Sequence, residues 1–122
     1  MCIFCEMPPD RIVLENDYWY VVFDNYPVTE RHALIILKQH VESFFLINNE
    51  EIVSLNEILK ELKFNLQMDD LTISGFNVGV NVGEMAGQTI MHVHVHLIPR
   101  RRGDVKNPRG GVRHLIPGKG FY

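Results

Sequence analysis

The segment His92-Val93-His94-Val95-His96-Leu97-Ile98 places a histidine at every second position of an otherwise apolar run. Successive side chains of a β-strand point to opposite faces of the sheet, and neighbours on one face lie about 7 Å apart. The spacing therefore predicts one face made of histidines and an opposite face made of aliphatic side chains. A lone histidine in a strand is usually a surface residue, whereas three in register predict a site with chemistry.

Two kinds of chemistry suit such a row of imidazoles. A neutral imidazole is a nucleophile, and its ordinary pKa of about 6.5 leaves most of it deprotonated at cellular pH. Imidazole is also a common zinc ligand, and several histidines could hold a catalytic zinc that keeps one position for water. The residues alone leave both possibilities open, with His94 as the attacking group in the first.

The rest of the chain is organised as strands around one long helix. Apolar residues, among them Ile52, Leu55 and Leu59, recur at helical spacing over residues 49–68, with charged residues between them. Runs rich in β-branched and aromatic residues predict strands at residues 11–15, 18–23, 32–37, 76–81 and 90–99. The last two are separated by one loop, which favours an antiparallel hairpin. This order predicts an α+β domain with helices packed on an antiparallel sheet.

Length and composition restrict the class of protein. The chain has 122 residues, which is the size of one domain. Its hydrophobic content of 46%, charged content of 22% and formal net charge of -3 argue against a disordered chain and against nucleic acid as a partner. No apolar run approaches the roughly 20 residues that span a bilayer, and the first residues lack the features of a signal peptide. We therefore expect a cytoplasmic protein without a membrane partner.

The histidine segment resembles the His-x-His-x-His-x-x signature of the histidine triad family of nucleotide hydrolases and transferases. The resemblance extends from Cys2 to Pro99, and the segment from Gly103 to Pro117 is similar to the end of bacterial members. It implies a five-stranded antiparallel sheet with one long and one short helix packed on it. It also implies a histidine triad domain over residues 1–102, with residues 103–122 as a basic tail of the same domain.

For the site, the resemblance implies attack by His94 on the α-phosphorus of a purine nucleotide, such as a dinucleoside polyphosphate or a nucleoside phosphoramidate. A nucleotidyl-histidine would form and then be hydrolysed. His96 would bond the phosphate or the leaving group, and Gln88 would position the leaving group. The implied catalytic residues are His92, His94, His96 and Gln88, and the implied substrate contacts are Asp24, Asn25, His32, Asn81 and Thr89. Asp24 and Asn25 could equally form the turn before Pro27.

Cys2 and Cys5 form a C-x-x-C pair, which by itself is a weak signal. A structural disulfide is not expected in a cytoplasmic chain, and redox chemistry would normally require a βαβ context. The resemblance implies a structural zinc held by Cys2, Cys5, His40 and His92, with no organic cofactor. The alternative is two inert thiols and a surface histidine at position 40.

The last residues are basic, with Arg100, Arg101, Arg102, Lys106, Arg109, Arg113 and Lys119 in an otherwise acidic chain. Such a run is usually a solvated face. Alternatively, residues 107–111 fold over the active site, its own or a partner's, where arginine would suit a polyphosphate. The resemblance also implies a homodimer. Beside the nucleotidyl hydrolase, two functions stay open: a zinc hydrolase that uses all three triad histidines as ligands, and a nucleotide sensor without turnover.

Overall fold

The computed structural model describes all residues, 1–122, and contains five strands and one α-helix. The strands and the helix are β1 Leu14–Glu15, β2 Trp19–Phe23, β3 Ala33–Leu37, α1 Asn49–Asp69, β4 Ile73–Gly79 and β5 His94–Arg101. All pairings between neighbouring strands are antiparallel. The predicted α+β class with a five-stranded antiparallel sheet and one long helix is confirmed.

The strand order in the sheet is β1-β2-β3-β5-β4. The histidine-bearing strand β5 therefore lies between β3 and β4, and α1 connects those two strands across one face of the sheet. The pairing of β4 with β5 confirms the predicted antiparallel hairpin. Tyr20, Ile36 and His94 stand in one row across three strands, and Val22, Leu34 and His96 stand in the next. This register carries the histidines onto a largely apolar sheet face.

Helix α1 begins with a complete capping box. The side chain of Asn48 accepts a hydrogen bond from the backbone N–H of Glu51, and the Glu51 carboxylate accepts one from the N–H of Asn48. The indole N–H of Trp19 donates to the carbonyl of Glu51 at 2.8 Å and fixes this end of the helix on β2. The helix then buries a stripe of side chains at spacings of three and four: Leu55, Ile58, Leu62 and Leu66.

The sheet has a different apolar cluster on each face. Under α1, a cluster of 13 buried residues includes Trp19, Ile35, Leu62 and Val95. Truncating a leucine in such a core costs about 2–5 kcal/mol. On the opposite face, a smaller cluster of 5 residues consists of Phe4, Tyr20, Val22, Leu34 and Ile36. The histidines of β5 lie on this second face, which is covered by the start of the chain and not by the helix.

Several predicted boundaries were wrong. The segment 11–15 is a strand only over Leu14–Glu15, because Pro8 and Pro9 favour a short 3-10 helix over Pro9–Arg11. The short helix takes the form of 3-10 turns, one of them at Phe44–Leu46. In α1, Ile52 was predicted to lie on the apolar side of the helix but is 40% exposed, whereas Ile58 is buried. The strands predicted at 76–81 and 90–99 are shifted to β4 and β5.

No helix in the structure combines the length and the apolar character needed to cross a membrane.

Candidate functional site

Strand β5 and the residue that precedes β3 bring three histidines together on the face opposite α1. His94 and His96 come from β5, and His32 immediately precedes β3. The rings of His94 and His96 lie 5.4 Å apart, and the ring of His32 lies 5.1 Å from that of His96. His32 is buried, while His94 and His96 are partly exposed. The predicted triad face is therefore open at two positions, and a buried imidazole supports it from behind.

The ring of His94 is oriented by a backbone carbonyl. Its Nδ1 lies 2.8 Å from the carbonyl oxygen of His92, and because a carbonyl can only accept, Nδ1 carries the proton. A neutral His94 therefore has an unprotonated Nε2 with a free lone pair. A lone pair at that position is what a nucleophilic imidazole requires.

His96 is held in the opposite tautomer by His32. The N–H of Val28 donates to Nδ1 of His32 at 3.1 Å, so the proton of a neutral His32 is on Nε2. That Nε2 lies 2.9 Å from Nδ1 of His96 and donates to it. The proton of His96 is consequently on its own Nε2. The two adjacent imidazoles thus present different groups: His94 a lone pair and His96 an N–H donor.

Burial keeps this pair of supporting histidines neutral. It lowers the pKa of His96 to about 4, and the neighbouring His94 and His32 add to the effect. Burial also lowers the pKa of His32, although the Asp24 carboxylate opposes the shift. Neutral forms are required because Nδ1 of each ring accepts a hydrogen bond, from the N–H of Val28 in His32 and from Nε2–H of His32 in His96, and a protonated nitrogen cannot accept.

Asp24 and Asn25 follow β2 and have different surroundings. The Asp24 carboxylate lies 3.6 Å from Nε2 of His32 and accepts a hydrogen bond from the N–H of Tyr26. The side-chain oxygen of Asn25 accepts from the guanidinium of Arg11 instead. The structure therefore brings Asp24 to the histidines, whereas Asn25 is engaged with the loop before β1.

The loop before the triad is shaped by two glycines with positive φ, Gly83 at 91° and Gly87 at 93°. Gln88 is buried, its amide donates to the carbonyls of Glu42 and Ile90, and its oxygen accepts from the N–H of Gly83. The Gln88 side chain thus braces the loop, and its positioning of the leaving group, which the resemblance implies, stays a prediction.

Two further predicted contacts belong to this loop region. Asn81 lies close to the loop, since a Cβ at Gly87 would be 3.7 Å from its Nδ2. Thr89 is exposed at the end of the loop.

His92 belongs to a second cluster at the start of the chain. Its Nε2 lies 2.6 Å from the carbonyl oxygen of Leu37 and donates to it, which leaves Nδ1 unprotonated. That Nδ1 lies 3.3 Å from Sγ of Cys2, 3.5 Å from Sγ of Cys5 and 3.1 Å from Nδ1 of His40. Burial lowers the pKa of His92, which favours the neutral, ligating form.

These four side chains fit a tetrahedral metal ion. The ligand atoms of Cys2, Cys5, His40 and His92 all lie within 4.8 Å of one another. Bonds of about 2.0–2.3 Å to zinc imply separations of roughly 3.3–3.8 Å between tetrahedral ligands, close to the distances found here. The carbonyl that holds the other nitrogen of His92 is the usual outer partner of a metal-bound histidine. A closed shell of four ligands suits a structural metal.

A family model of the HIT domain matches residues 6–103. The chain belongs to the HIT family. It is 36% identical over 104 residues to the adenosine 5'-monophosphoramidase HNT1 of Saccharomyces cerevisiae, covering 82% of this chain and 63% of the yeast protein. It is 31% identical over 103 residues to Protein hit of Bacillus subtilis, covering 81% and 70% of the two chains.

Solved structures of HIT proteins agree with the fold. A zinc-bound histidine triad family protein from Mycobacterium smegmatis superposes with a TM-score of 0.76 at 28% identity, covering 84% of this chain and 77% of that one.

The basic tail lies at the far end of the HIT site. Asn77 and Arg100, which hydrogen-bond at 2.8 Å, stand on the same sheet face as His94 and His96, and Gly111 packs beside Asn77. Beyond this point the tail folds on itself, with the Arg109 and Arg113 guanidinium groups 4.5 Å and 4.9 Å from the centre of the Tyr122 ring.

The sequence analysis missed two residues at the site, Phe4 and Tyr20. The Phe4 ring contacts the rings of His92 and His94, and the Tyr20 hydroxyl donates to the carbonyl of Phe4. Tyr20 stands in the same strand row as His94, but strand order cannot be read from the local pattern. The position of Phe4 between the two cysteines was the available signal.

Proposed function

We propose that this HIT protein is a nucleotidyl hydrolase or transferase that cleaves at the α-phosphate of purine nucleotides through a covalent intermediate on His94. The observation that carries the proposal is the pair of opposite tautomers: a lone pair on Nε2 of His94 beside an N–H on His96. A nucleophile and a hydrogen-bond donor side by side suit attack on phosphorus, where negative charge grows on the phosphate oxygens.

In the first step, Nε2 of His94 forms a bond to the α-phosphorus and the bond to the leaving oxygen or nitrogen breaks. The leaving group takes the electron pair of that bond and a proton from water. His94 becomes an N-nucleotidyl imidazolium, whose Nδ1–H still donates to the carbonyl of His92. That carbonyl therefore stabilises the positive charge as it forms.

In the second step, water attacks the phosphorus and the N–P bond breaks. The electron pair returns to Nε2 of His94, and the attacking water loses its proton to solvent. His96 donates its Nε2–H to a phosphate oxygen in both steps. Because its pKa is about 4, His96 acts as a neutral donor and not as an imidazolium acid.

We also propose roles for the other predicted contacts around His94 and His96. The hydroxyl and the backbone N–H of Thr89 are proposed phosphate donors, since N–H groups of glycine-containing loops bind anions. The N–H groups of Gly87 and Gln88 donate to the carbonyls of Glu84 and Gly83 instead, and together with the Gln88 side chain they hold the loop in shape. Asn81 lies beside this loop. The carboxylate of Asp24 is proposed to bind the ribose hydroxyls, and His32 to steady His96.

The adenosine phosphoramidase name of the yeast relative supports adenine nucleotides as the substrate class, with adenosine phosphoramidates and dinucleoside polyphosphates as candidates. We propose zinc for the Cys2, Cys5, His40 and His92 cluster, as the M. smegmatis neighbour is described as zinc-bound. When bound, zinc would supply a cross-link between the start of the chain and the strand that carries His94. A cytoplasmic homodimer is proposed from the family resemblance, and light scattering would test the dimer.

The zinc hydrolase alternative is less well supported. It needs three triad nitrogens aimed at one metal, yet Nδ1 of His92 faces the cysteines and Nδ1 of His96 accepts from His32. The nucleotide sensor shares the same binding residues and differs only in the absence of turnover.

The test is a rapid quench of the reaction with adenosine 5'-phosphoramidate, followed by mass spectrometry. We expect AMP on a peptide that contains His94, and no such adduct in the His94→Ala variant. Chelator-sensitive turnover without an adduct would favour the zinc hydrolase. Binding of AMP without turnover of phosphoramidate or dinucleoside polyphosphate would favour the sensor.

A further inference from the structure

The turn between the two cysteines buries one aromatic side chain against the active site. Phe4 is 5% exposed, whereas its neighbour Ile3 is 60% exposed. The Phe4 ring centre lies 5.0 Å from that of His94, with an angle of 65° between the ring planes. It lies 5.8 Å from the ring of His92 at 88°. Both contacts have the edge-to-face geometry that aromatic rings prefer.

The His94 ring is thereby enclosed on two sides. Phe4 contacts it from the side of the metal cluster, and the His96 ring lies 5.4 Å away at 59°. The hydrogen bond from Nδ1 to the His92 carbonyl sets the mean orientation of the ring. Packing against the ring limits its remaining motion and so narrows the direction of Nε2.

Phe4 itself is fixed by the residues around it. The Tyr20 hydroxyl donates to its carbonyl, and burial raises the pKa of Tyr20, so that this donor keeps its proton. The N–H of Cys5 donates to the carbonyl of Cys2 at 3.1 Å and closes the turn. The thiols of Cys2 and Cys5 both contact Nδ1 of His92. The Cys5 thiol also contacts Nδ1 of His40. The ring position thus depends on the same turn that binds the metal.

We propose that Phe4 is a positioning residue for His94: the cysteine turn presses the Phe4 ring against the imidazole and holds Nε2 in line with the phosphorus. This inference rests on the proposed function, because it assumes that His94 is the nucleophile. In this proposal the metal cluster contributes to the orientation of the His94 ring as well as to the stability of the fold. Misplacement of a reacting group by about 1 Å can cost up to roughly a hundredfold in rate.

The test compares Phe4→Leu with Ile3→Ala in the zinc-loaded protein. Leucine keeps an apolar group at position 4 but removes the flat ring, and Ile3→Ala changes the same turn on its exposed side. We expect single-turnover adenylation by adenosine 5'-phosphoramidate to slow about tenfold or more in Phe4→Leu, with AMP affinity and zinc content unchanged. Ile3→Ala should behave like the parent protein.

A second measurement does not use turnover. Nitrogen-15 NMR of the histidine side chains at about pH 8 reports the tautomer of each neutral ring. We expect the parent protein to show His94 as the Nδ1–H tautomer, and Phe4→Leu to show an averaged or broadened His94 signal with an unchanged His32 signal. An unchanged His94 signal together with an unchanged adenylation rate would overturn the proposal.

The other outcomes are also decisive. Weaker AMP binding with an unchanged adenylation rate would assign Phe4 to the nucleotide pocket and overturn the positioning role. If the parent protein itself shows no adenylation of His94, the proposed function fails, and the NMR comparison still decides whether Phe4 orients that ring. If Phe4→Leu loses zinc, the Phe4→Tyr variant replaces it in the comparison. Tyr restores an aromatic ring at this position, so we expect the His94 signal of the parent protein.

Discussion

His92 and His94 are two residues apart, one in the bend before β5 and the other at the start of β5, yet they belong to different clusters. His92 gives its Nε2–H to the carbonyl of Leu37 and turns Nδ1 toward the cysteines, while His94 gives its Nδ1–H to the carbonyl of His92 and leaves Nε2 free. One ring is buried in a closed set of four ligands, and the other is partly open to solvent. The difference shows that the carbonyl each ring meets decides which nitrogen carries the proton and which keeps a lone pair.

The largest effect should come from His94→Ala. Removal of the nucleophile should lower the turnover of adenosine 5'-phosphoramidate by at least about a thousandfold, because no neighbouring group presents a free lone pair. Zinc content should stay at the parent level, since the ring is not a ligand. Measurement of kcat and of metal content in the same preparation would check both statements. Loss of zinc in this variant would contradict the separation of the two centres.

His32→Ala should have the next largest effect. Without the donor on Nε2 of His32, the ring of His96 can change tautomer or rotate, and its N–H is no longer held toward the substrate. We expect kcat to fall about 10- to 100-fold, comparable to the loss when the outer partner that orients a functional histidine is removed. The KM should change little. His32→Gln retains a donor and should recover part of the rate, and equal losses in the two variants would argue against this role.

Cys5→Ser should affect the other centre first. Removal of one thiolate should lower zinc content from about one per chain to a small fraction and lower the melting temperature, since a structural metal contributes to folding. Activity should fall about tenfold as Phe4 loses its support, with no change in the identity of the labelled residue. If the zinc-free protein has the melting temperature of the parent, the metal does not stabilise the fold.

The smallest effect concerns pH. The pKa of His96 is lowered to about 4 and that of His32 is also lowered, so the folded protein binds fewer protons at these sites than the unfolded chain, where histidine titrates near 6.5. Their contribution to stability is therefore complete above about pH 6.5 and is lost as the pH falls toward about 4. Denaturant unfolding at a series of pH values should show this loss, and it should be smaller in His32→Gln. A stability that is constant across this range would contradict the burial of neutral rings.

The local pattern of the sequence predicted the long helix and the row of histidines, whereas the other candidate residues came from the family resemblance. The three-to-four spacing of leucines predicted α1, and the two-residue spacing of histidines predicted a strand with one chemical face. Short segments such as 11–15 were predicted less well, because tertiary context overrides propensity in a short strand. The family resemblance supplied the grouping of the cysteines with His40 and His92, which no local pattern contains.

The sequence by itself determined that histidines alternate with aliphatic residues along a predicted strand and that one amphipathic helix would pack on an antiparallel sheet. Only the tertiary structure decided which nitrogen of each ring is protonated, because the carbonyl of Leu37, the N–H of Val28 and the ring of His32 reach the triad from distant parts of the chain. Only it placed Phe4 against His94. Side-chain alternation follows from local backbone geometry, whereas tautomers and ring contacts depend on partners that the strand order brings together.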